Sequence, residues 1–179
     1  MKLGVLEQQK LTNKIKELVL AKKLIFAAAS NTGGNGSRPW PAKEPGVFCV
    51  HAANERGNTS RDMNLTPDAI LDNFSTLGLD IASHWNGSDR SISGTSYSTG
   101  VAAAISANVL EFARSTLPPE VASHFSIYGT MRRLFRSHMV ENSSSSMYHY
   151  LKPWRKGLWD GDQSIEEVAA QLEKISIGI

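Results

Sequence analysis

The chain has 179 residues, of which 41% are hydrophobic and 20% are charged, and its formal net charge at pH 7 is +2. This length and composition are ordinary for a folded domain with one core, and so small a net charge gives no reason to expect a nucleic acid or a membrane surface as partner. The sequence contains no run of about 18 apolar residues that would cross a bilayer.

The cysteine content and the amino terminus bear on location. The one cysteine, Cys49, has no second cysteine with which to form an internal disulfide, and the amino terminus lacks a secretory pattern. Both observations favour an intracellular location. Because Cys49 falls in a predicted strand, we expect it to be a small buried side chain rather than a nucleophile.

The first predicted element is an amphipathic helix over residues 7–23. Four apolar residues share one stripe of this helix: Leu11, Ile15, Leu18 and Val19. Most of its lysines lie elsewhere, and a solvated face is favoured over an acidic partner. The apolar run at residues 24–29 then predicts a buried parallel strand, so that helix and strand form the second half of a β-α-β crossover.

A loop rich in Gly, Asn, Ser and Pro follows over residues 31–43. It begins with Asn31, whose carboxamide at the carboxyl end of a strand can donate a hydrogen bond to a developing oxyanion. Asn before glycines is also a common turn residue, and these residues alone favour that interpretation. The glycines do not form the phosphate-binding pattern G-x-x-x-x-G-K-[ST]. A second buried strand is predicted at residues 47–52.

The polar stretch at residues 53–72 predicts a long surface loop, of a length that is usually functional or disordered. Its acidic residues Asp62 and Asp68 lack the spacing of a calcium loop, and we expect neither a metal nor a cofactor. A short strand at residues 79–82 and a loop at residues 83–93 lead to the next motif.

The chain is organised around residues 93–100, where small and polar residues precede an apolar helix predicted from about residue 97 to residue 112. Apolar residues continue around nearly every side of this helix, which indicates burial. The unpaired amides of its first turn and the positive end of its dipole favour an anion beside Ser96. On these residues alone a plain N-cap is the commoner interpretation. The G-x-S-x-G elbow of α/β-hydrolases is excluded, because Ser98 stands where its second glycine belongs.

Two of these motifs resemble those of the subtilisin-like serine peptidases, the subtilases. Residues 94–96, with the small-residue helix, are similar to the family's serine motif, and residues 24–36 resemble the strand and turn that end in its oxyanion asparagine. Residues 41–52 and 73–82 resemble the intervening segments, so the resemblance covers roughly residues 7–114. It implies an α/β fold with a mainly parallel sheet flanked by helices, incomplete because strands are absent.

The resemblance also implies site residues. Ser96 would be the nucleophile, and its amide and Asn31 would stabilise the oxyanion. Four residues would contact a peptide or protein substrate: Ala29, Ser30, Gly33 and Thr95. Ser30 stands where relatives commonly have glycine, so a substrate preference cannot be transferred. Ser98 replaces a common Ala, and Gly100 replaces a common Pro. Glycine in place of proline leaves the start of the helix, and with it the geometry of Ser96, less fixed.

The groups that would activate Ser96 are missing from the sequence. A serine peptidase needs an imidazole as base and a carboxylate that orients it. Subtilases supply them from D-[TS]-G and H-G-T motifs upstream, and neither motif occurs here. Of the five histidines only His84 is near Ser96 in sequence, and a loop histidine is the favoured interpretation. Alone, the chain is expected to hydrolyse peptides poorly or not at all.

The chain thus resembles the carboxyl-terminal half of a subtilase catalytic domain. Either it is a fragment, whose partner is the missing amino-terminal half, or it is a degenerate relative. Two functions stay open: a serine endopeptidase that acts by acyl transfer, and a noncatalytic pseudopeptidase or interaction module left by loss of the base.

Beyond residue 114 the resemblance fades. The prediction divides the chain into a partial peptidase domain, residues 1–114, and a mostly helical extension, residues 115–179. The last helix of the extension begins at a capping box of Ser164 and Glu167. Basic and aromatic residues between positions 148 and 159 have the composition of a single-stranded nucleic-acid site, but packing of the extension over its own domain is favoured.

Overall fold

A mainly parallel five-stranded sheet organises the fold. The computed structural model describes residues 5–34, 36–141, 147–153 and 161–178. Its strands in chain order are β1 (Ile25–Ala28), β2 (Val47–Ala53), β3 (Phe74–Leu77), β4 (Ile81–Trp85), β5 (Ser88–Ile92), β6 (Val140–Glu141) and β7 (His149–Leu151). The sheet has the order β1-β2-β3-β7-β6, in which only β6 and β7 are antiparallel neighbours. β4 and β5 form a separate antiparallel hairpin.

Helices flank the sheet. In chain order they are α1 (Val5–Leu20), α2 (Thr95–Thr116), α3 (Pro119–His124), α4 (Tyr128–Leu134), which continues as a π-helical segment (Phe135–Met139), and α5 (Ile165–Ile177). This architecture confirms the predicted α/β fold with a mainly parallel sheet. Among the helices of the described residues, none has the length and apolar character needed to cross a membrane.

The two faces of β2 show why the sheet forms. Phe48 and Val50 point into the larger core, which contains α2, whereas Val47 and Cys49 point into a smaller cluster on the opposite face. Every residue of β2 is buried. An apolar strand covered on both faces is typical of parallel sheets, which is why the continuous apolar run predicted a strand.

α2 is longer than predicted and is buried on one face only. The inward residues repeat at helical spacing: Ala102, Ile105, Ser106, Val109 and Ala113. The opposite face, with Gly100, Ala104 and Ala107, is exposed. The expectation of burial on nearly every side was therefore wrong, because alanine is both a strong helix former and small enough to be exposed at little cost.

Residues on both sides of position 114 share one core. Phe125, Met131, Phe135 and Leu172 lie in the same cluster as Phe48. α5 begins at the predicted capping box, in which Ser164 accepts from the Glu167 amide and Glu167 accepts from the Ser164 amide. The division into two domains at residue 114 stays a prediction.

The connection between β2 and β3 is more firmly held than a free surface loop. Asn64 is buried, and its carboxamide accepts from the amide of Ala52 at 2.9 Å and donates to the carbonyl of Ala52 at 2.6 Å. The side chain thereby replaces a neighbouring strand at that point of β2. The bounds of the strand predicted at residues 79–82 were wrong. Residues 79 and 80 belong to the turn after β3, and β4 begins at Ile81.

Candidate active site

The first turn of α2 lies against the carboxyl end of β3. The amide of Gly94 donates to the carbonyl of Gly78 at 2.7 Å. A Cβ atom at position 78 would lie 1.8 Å from Ser98 Oγ, 2.9 Å from the carbonyl oxygen of Gly94 and 3.1 Å from Ala52 Cβ. Only glycine permits this approach of helix to strand.

A reciprocal pair of buried hydrogen bonds fixes the same turn. Thr76 Oγ1 donates to the Ser98 carbonyl at 2.8 Å, and Ser98 Oγ donates to the Thr76 carbonyl at 3.3 Å. Both side chains are fully buried. Nothing local in the sequence indicates that Ser98 has a partner on β3.

Asn31 joins the end of β1 to the start of α2. Its Oδ1 accepts from the amide of Thr95 at 2.8 Å and from Thr95 Oγ1 at 2.9 Å. These two bonds span 64 positions of sequence and satisfy a first-turn amide that the helix itself leaves unpaired. The structure therefore brings Asn31 next to the residue that precedes Ser96.

Two hydrogen-bond donors remain open at this place. Within the described part of the chain, no acceptor is found for the amide of Ser96 or for Nδ2 of Asn31. Nδ2 lies 3.5 Å from the position that a Cβ atom of Gly94 would occupy. Ser96 and Asn31 are both exposed. The arrangement thus offers a hydroxyl and two unpaired donors to solvent on one short stretch of surface.

The residues expected to contact substrate occupy different environments. Ala29 and Thr95 are buried, and both donors of Thr95 are directed to Asn31. Ser30 has a φ of 121°, a region that side-chain-bearing residues rarely adopt, which accounts for the glycine that relatives commonly have there. Gly33 is buried and donates its amide to Met63 at 3.1 Å. Their contact with a substrate stays a prediction.

An open cavity of about 1020 Å³ lies beside Asn31. Thr32 and Gly33 form one wall, the connection between β2 and β3 forms another, and Tyr148 closes it from the carboxyl-terminal region. Tyr148 also packs edge-on against His51, with ring centroids 5.0 Å apart. Of the basic and aromatic residues between positions 148 and 159, those at positions 154–159 lie outside the described residues.

No imidazole activates Ser96 in the part of the chain that the structure describes. His84 lies on the exposed β4-β5 hairpin, where its Nδ1 is 3.0 Å from Asp89. His51 is buried, with Nε2 4.0 Å from Cys49 Sγ. Burial lowers the pKa of His51 to about 3 and raises the pKa of the Cys49 thiol to about 11. Both are neutral at pH 7, so this pair is not a thiolate nucleophile with its base.

A metal site is likewise not formed by the described residues, since they contain no group of three His, Cys, Asp or Glu side chains able to hold an ion. A buried carboxylate with two partly exposed arginines lies elsewhere, at the amino end of β3. There Asp72 forms ion pairs with Arg132 and with Arg136, the latter at 2.6 Å.

The mainly parallel sheet flanked by helices matches a subtilisin-like α/β fold. The patellamide maturation protease PatA matches with a TM-score of 0.62 and 20% identity, over 91% of this chain and 56% of that chain. The prenylagaramide maturation protease PagA matches with a TM-score of 0.62 and 22% identity, over 90% of this chain and 55% of that chain. The PatG macrocyclase in complex with peptide matches with a TM-score of 0.62 and 17% identity, over 91% of this chain and 47% of that chain.

At these identities the likeness concerns the fold alone. The chain spans about half the length of the protease structures that it matches. No protein-family model and no curated protein matches it.

Proposed function

We propose that this chain carries the nucleophile and oxyanion site of a subtilisin-like serine endopeptidase. Ser96 is the nucleophile, and the Ser96 amide and Asn31 Nδ2 are the oxyanion donors. The observation that carries the proposal is the double hydrogen bond from Thr95 to Asn31 Oδ1, because it holds the carboxamide beside Ser96 and leaves its NH₂ group unpaired.

The proposed reaction is acyl transfer. The Ser96 hydroxyl attacks the scissile carbonyl and loses its proton to a base, and the carbonyl oxygen becomes an oxyanion held by the two donors. The tetrahedral intermediate expels the amine, which takes that proton, and water then releases the acyl group. Because the base is not found among the described residues, residues 1–179 alone are weak or inactive, and the base comes from the missing amino-terminal half of the domain.

The first experiment tests whether Ser96 acts as a nucleophile or has only a structural role. Purified chain is incubated with a chromogenic peptide ester, with and without millimolar imidazole as a substitute base, and acylation of Ser96 is followed by mass spectrometry. We expect acylation above the Ser96→Ala background only when imidazole is present. Equal acylation of wild type and Ser96→Ala contradicts the assignment of Ser96 as nucleophile. Rapid peptide turnover without imidazole contradicts the expectation that this chain lacks a base.

The matched variant for the oxyanion site is Asn31→Asp. Aspartate keeps the oxygen that accepts from Thr95 but replaces the NH₂ donor by a second oxygen, so the junction is retained and the donor is lost. We expect unchanged thermal stability and a loss of imidazole-dependent acylation of about 10²–10³-fold, the size measured when a subtilisin loses its oxyanion asparagine. Unchanged acylation would contradict the oxyanion role of Asn31, whereas absence of Ser96 acylation in the wild type with imidazole would support the noncatalytic interaction module instead.

A further inference from the structure

A second cavity, of about 380 Å³, lies at the amino ends of β2 and β3. The pairing of these strands begins at Val50 and Phe74, so residues 47–49 of β2 extend beyond β3, and the cavity forms beside this extension. Asn31 and Ser96 lie at the opposite, carboxyl ends of the parallel strands. The cavity is therefore separate from the candidate active site, and its volume is in the range of small-molecule sites, which begins at about 300 Å³.

One wall of this cavity is aromatic. The ring of Phe48 has its centroid 4.5 Å from that of Tyr128 and 6.0 Å from that of Phe74. Phe48 and Phe74 are each 1% exposed, so the core holds these rings in place. Two apolar side chains that also line the cavity, Ile70 and Leu71, are 90% and 49% exposed. A ligand with an apolar body would remove part of this surface from water.

Two guanidinium groups are fixed at the same cavity. Arg38 Nη2 donates to the carbonyl of Asp72 at 3.0 Å and to Asn73 Oδ1 at 3.1 Å. Arg132 Nε donates to the Asp72 carboxylate, which also accepts from Arg136. In the described part of the chain, no acceptor is found for Nε and Nη1 of Arg38 or for Nη1 and Nη2 of Arg132. Guanidinium groups that are held in place with unpaired donors are suited to a carboxylate.

The hydroxyl of Tyr128 lies near both of these groups. Burial raises the pKa of the Tyr128 hydroxyl, whereas the charges of Arg132 and Arg38 each act to lower it. Both guanidinium groups are thus within electrostatic reach of one hydroxyl on the cavity wall. Among the described residues this hydroxyl has no hydrogen-bond partner, so it is a further donor for a bound anion.

The remaining charged groups leave positive charge in excess. Lys43 and Glu44 both line the cavity, and neither forms an ion pair with a residue that the structure describes. The Asp72 carboxylate is shared by two arginines, and Arg38 contacts only its carbonyl. Asp68 does not line the cavity, and its Oδ1 accepts from two backbone amides of its own turn. An anionic ligand is therefore favoured over a cationic one.

We propose that this cavity binds a small organic carboxylate with an apolar body. Arg38 and Arg132 hold the carboxylate, and the apolar part packs against Phe48 and Tyr128. The proposal is independent of the proposed function, because the cavity shares no residue with the candidate active site.

The experiment titrates residues 1–179 with 3-phenylpropionate by isothermal calorimetry, at pH 7 and about 0.15 M salt so that distant charges are screened. Two matched probes separate the parts of the ligand: 3-phenylpropionamide has no charge, and acetate has no ring. We expect 3-phenylpropionate to bind at least about tenfold more tightly than either, because the charged hydrogen bonds and the buried ring each contribute that much. The amide NMR signals of residues 47–49 and 128–132 should shift, and those of residues 94–96 should not.

Three variants test the assigned groups. Arg38→Gln should weaken the binding of 3-phenylpropionate at least about tenfold. Glu44→Gln should strengthen it, because it removes a carboxylate that repels the ligand. Arg133→Gln is the matched control, since Arg133 is exposed beside Arg132 on α4 but does not line the cavity, and its affinity should be unchanged.

Thermal unfolding of each variant is measured as well, because Arg38 also holds the chain before β3. The ligand series and Glu44→Gln do not disturb that contact, so they decide the proposal even if Arg38→Gln does not fold. Absence of 3-phenylpropionate binding, equal affinity for its amide or for acetate, or signal shifts at residues 94–96 in place of 47–49 overturns the proposal. Weaker binding by Glu44→Gln, or an equal loss in Arg133→Gln and Arg38→Gln, overturns it too.

Discussion

Gly78→Ala tests whether the close approach of α2 to β3 holds the candidate active site together. The new methyl group would lie 1.8 Å from Ser98 Oγ, so that hydroxyl must turn away from the Thr76 carbonyl, at a cost of about 1–3 kcal/mol. The 2.9 Å contact with the Gly94 carbonyl requires a shift of the helix itself, for which overpacking costs are about 1–3 kcal/mol. We expect a loss of about 3 kcal/mol in the free energy of unfolding, or about 6–12 °C in Tm.

The assay is urea unfolding followed by far-UV circular dichroism, with the free energy extrapolated to water. Gly100→Ala is the control, because nothing lies within 4 Å of its added Cβ and alanine should stabilise this helix by about 1 kcal/mol. Ser98→Ala removes the atom in closest conflict, so the double variant Gly78→Ala, Ser98→Ala should be more stable than the sum of the single effects by about 1–2 kcal/mol. A Gly78→Ala protein within about 0.5 kcal/mol of wild type, or strict additivity, would refute the reasoning.

Three further predictions use the same unfolding assay. Ser30→Gly should be more stable than Ser30→Ala by about 1 kcal/mol, since both lose the hydroxyl and only glycine relieves the φ of 121°; equal stabilities would contradict the strain. Asp72→Asn should cost about 1–3 kcal/mol because two arginines lose a buried carboxylate, whereas Asp89→Asn on the exposed hairpin should leave the midpoint unchanged. The imidazole of His51 has a pKa of about 3 in the folded chain, against 6.5 in the unfolded chain. Between these pH values the imidazole is neutral when the chain is folded and protonated when it is unfolded. Stability should therefore fall by about 1.4 kcal/mol per pH unit below about pH 6, and His51→Gln should remove this component; parallel pH curves for the two proteins would contradict it.

The parts of this fold that the sequence predicts are those with a local signal. β1 and β2 are short apolar runs, and α5 begins at a capping box, a pattern that four consecutive residues define. The likeness around Asn31 and Ser96 predicts a junction, and the hydrogen bonds from Thr95 to Asn31 join those two segments. The catalytic roles themselves stay predictions.

The parts that escaped prediction depend on partners distant in sequence. β3 contains Ser75 and Thr76, which are polar but buried, and Thr76 is matched only by Ser98 on α2. Asp72 finds its arginines 60 and 64 positions away. Such pairings have no period and no motif, so composition and spacing within a segment give no indication of them.

The thiol of Cys49 has a practical consequence. It is the only sulfhydryl in the sequence, it is buried in β2, and its pKa is raised to about 11. An alkylating reagent at neutral pH should therefore modify the chain only through molecules that have transiently opened the sheet. The rate of that modification measures how often β2 opens, and no label has to be introduced.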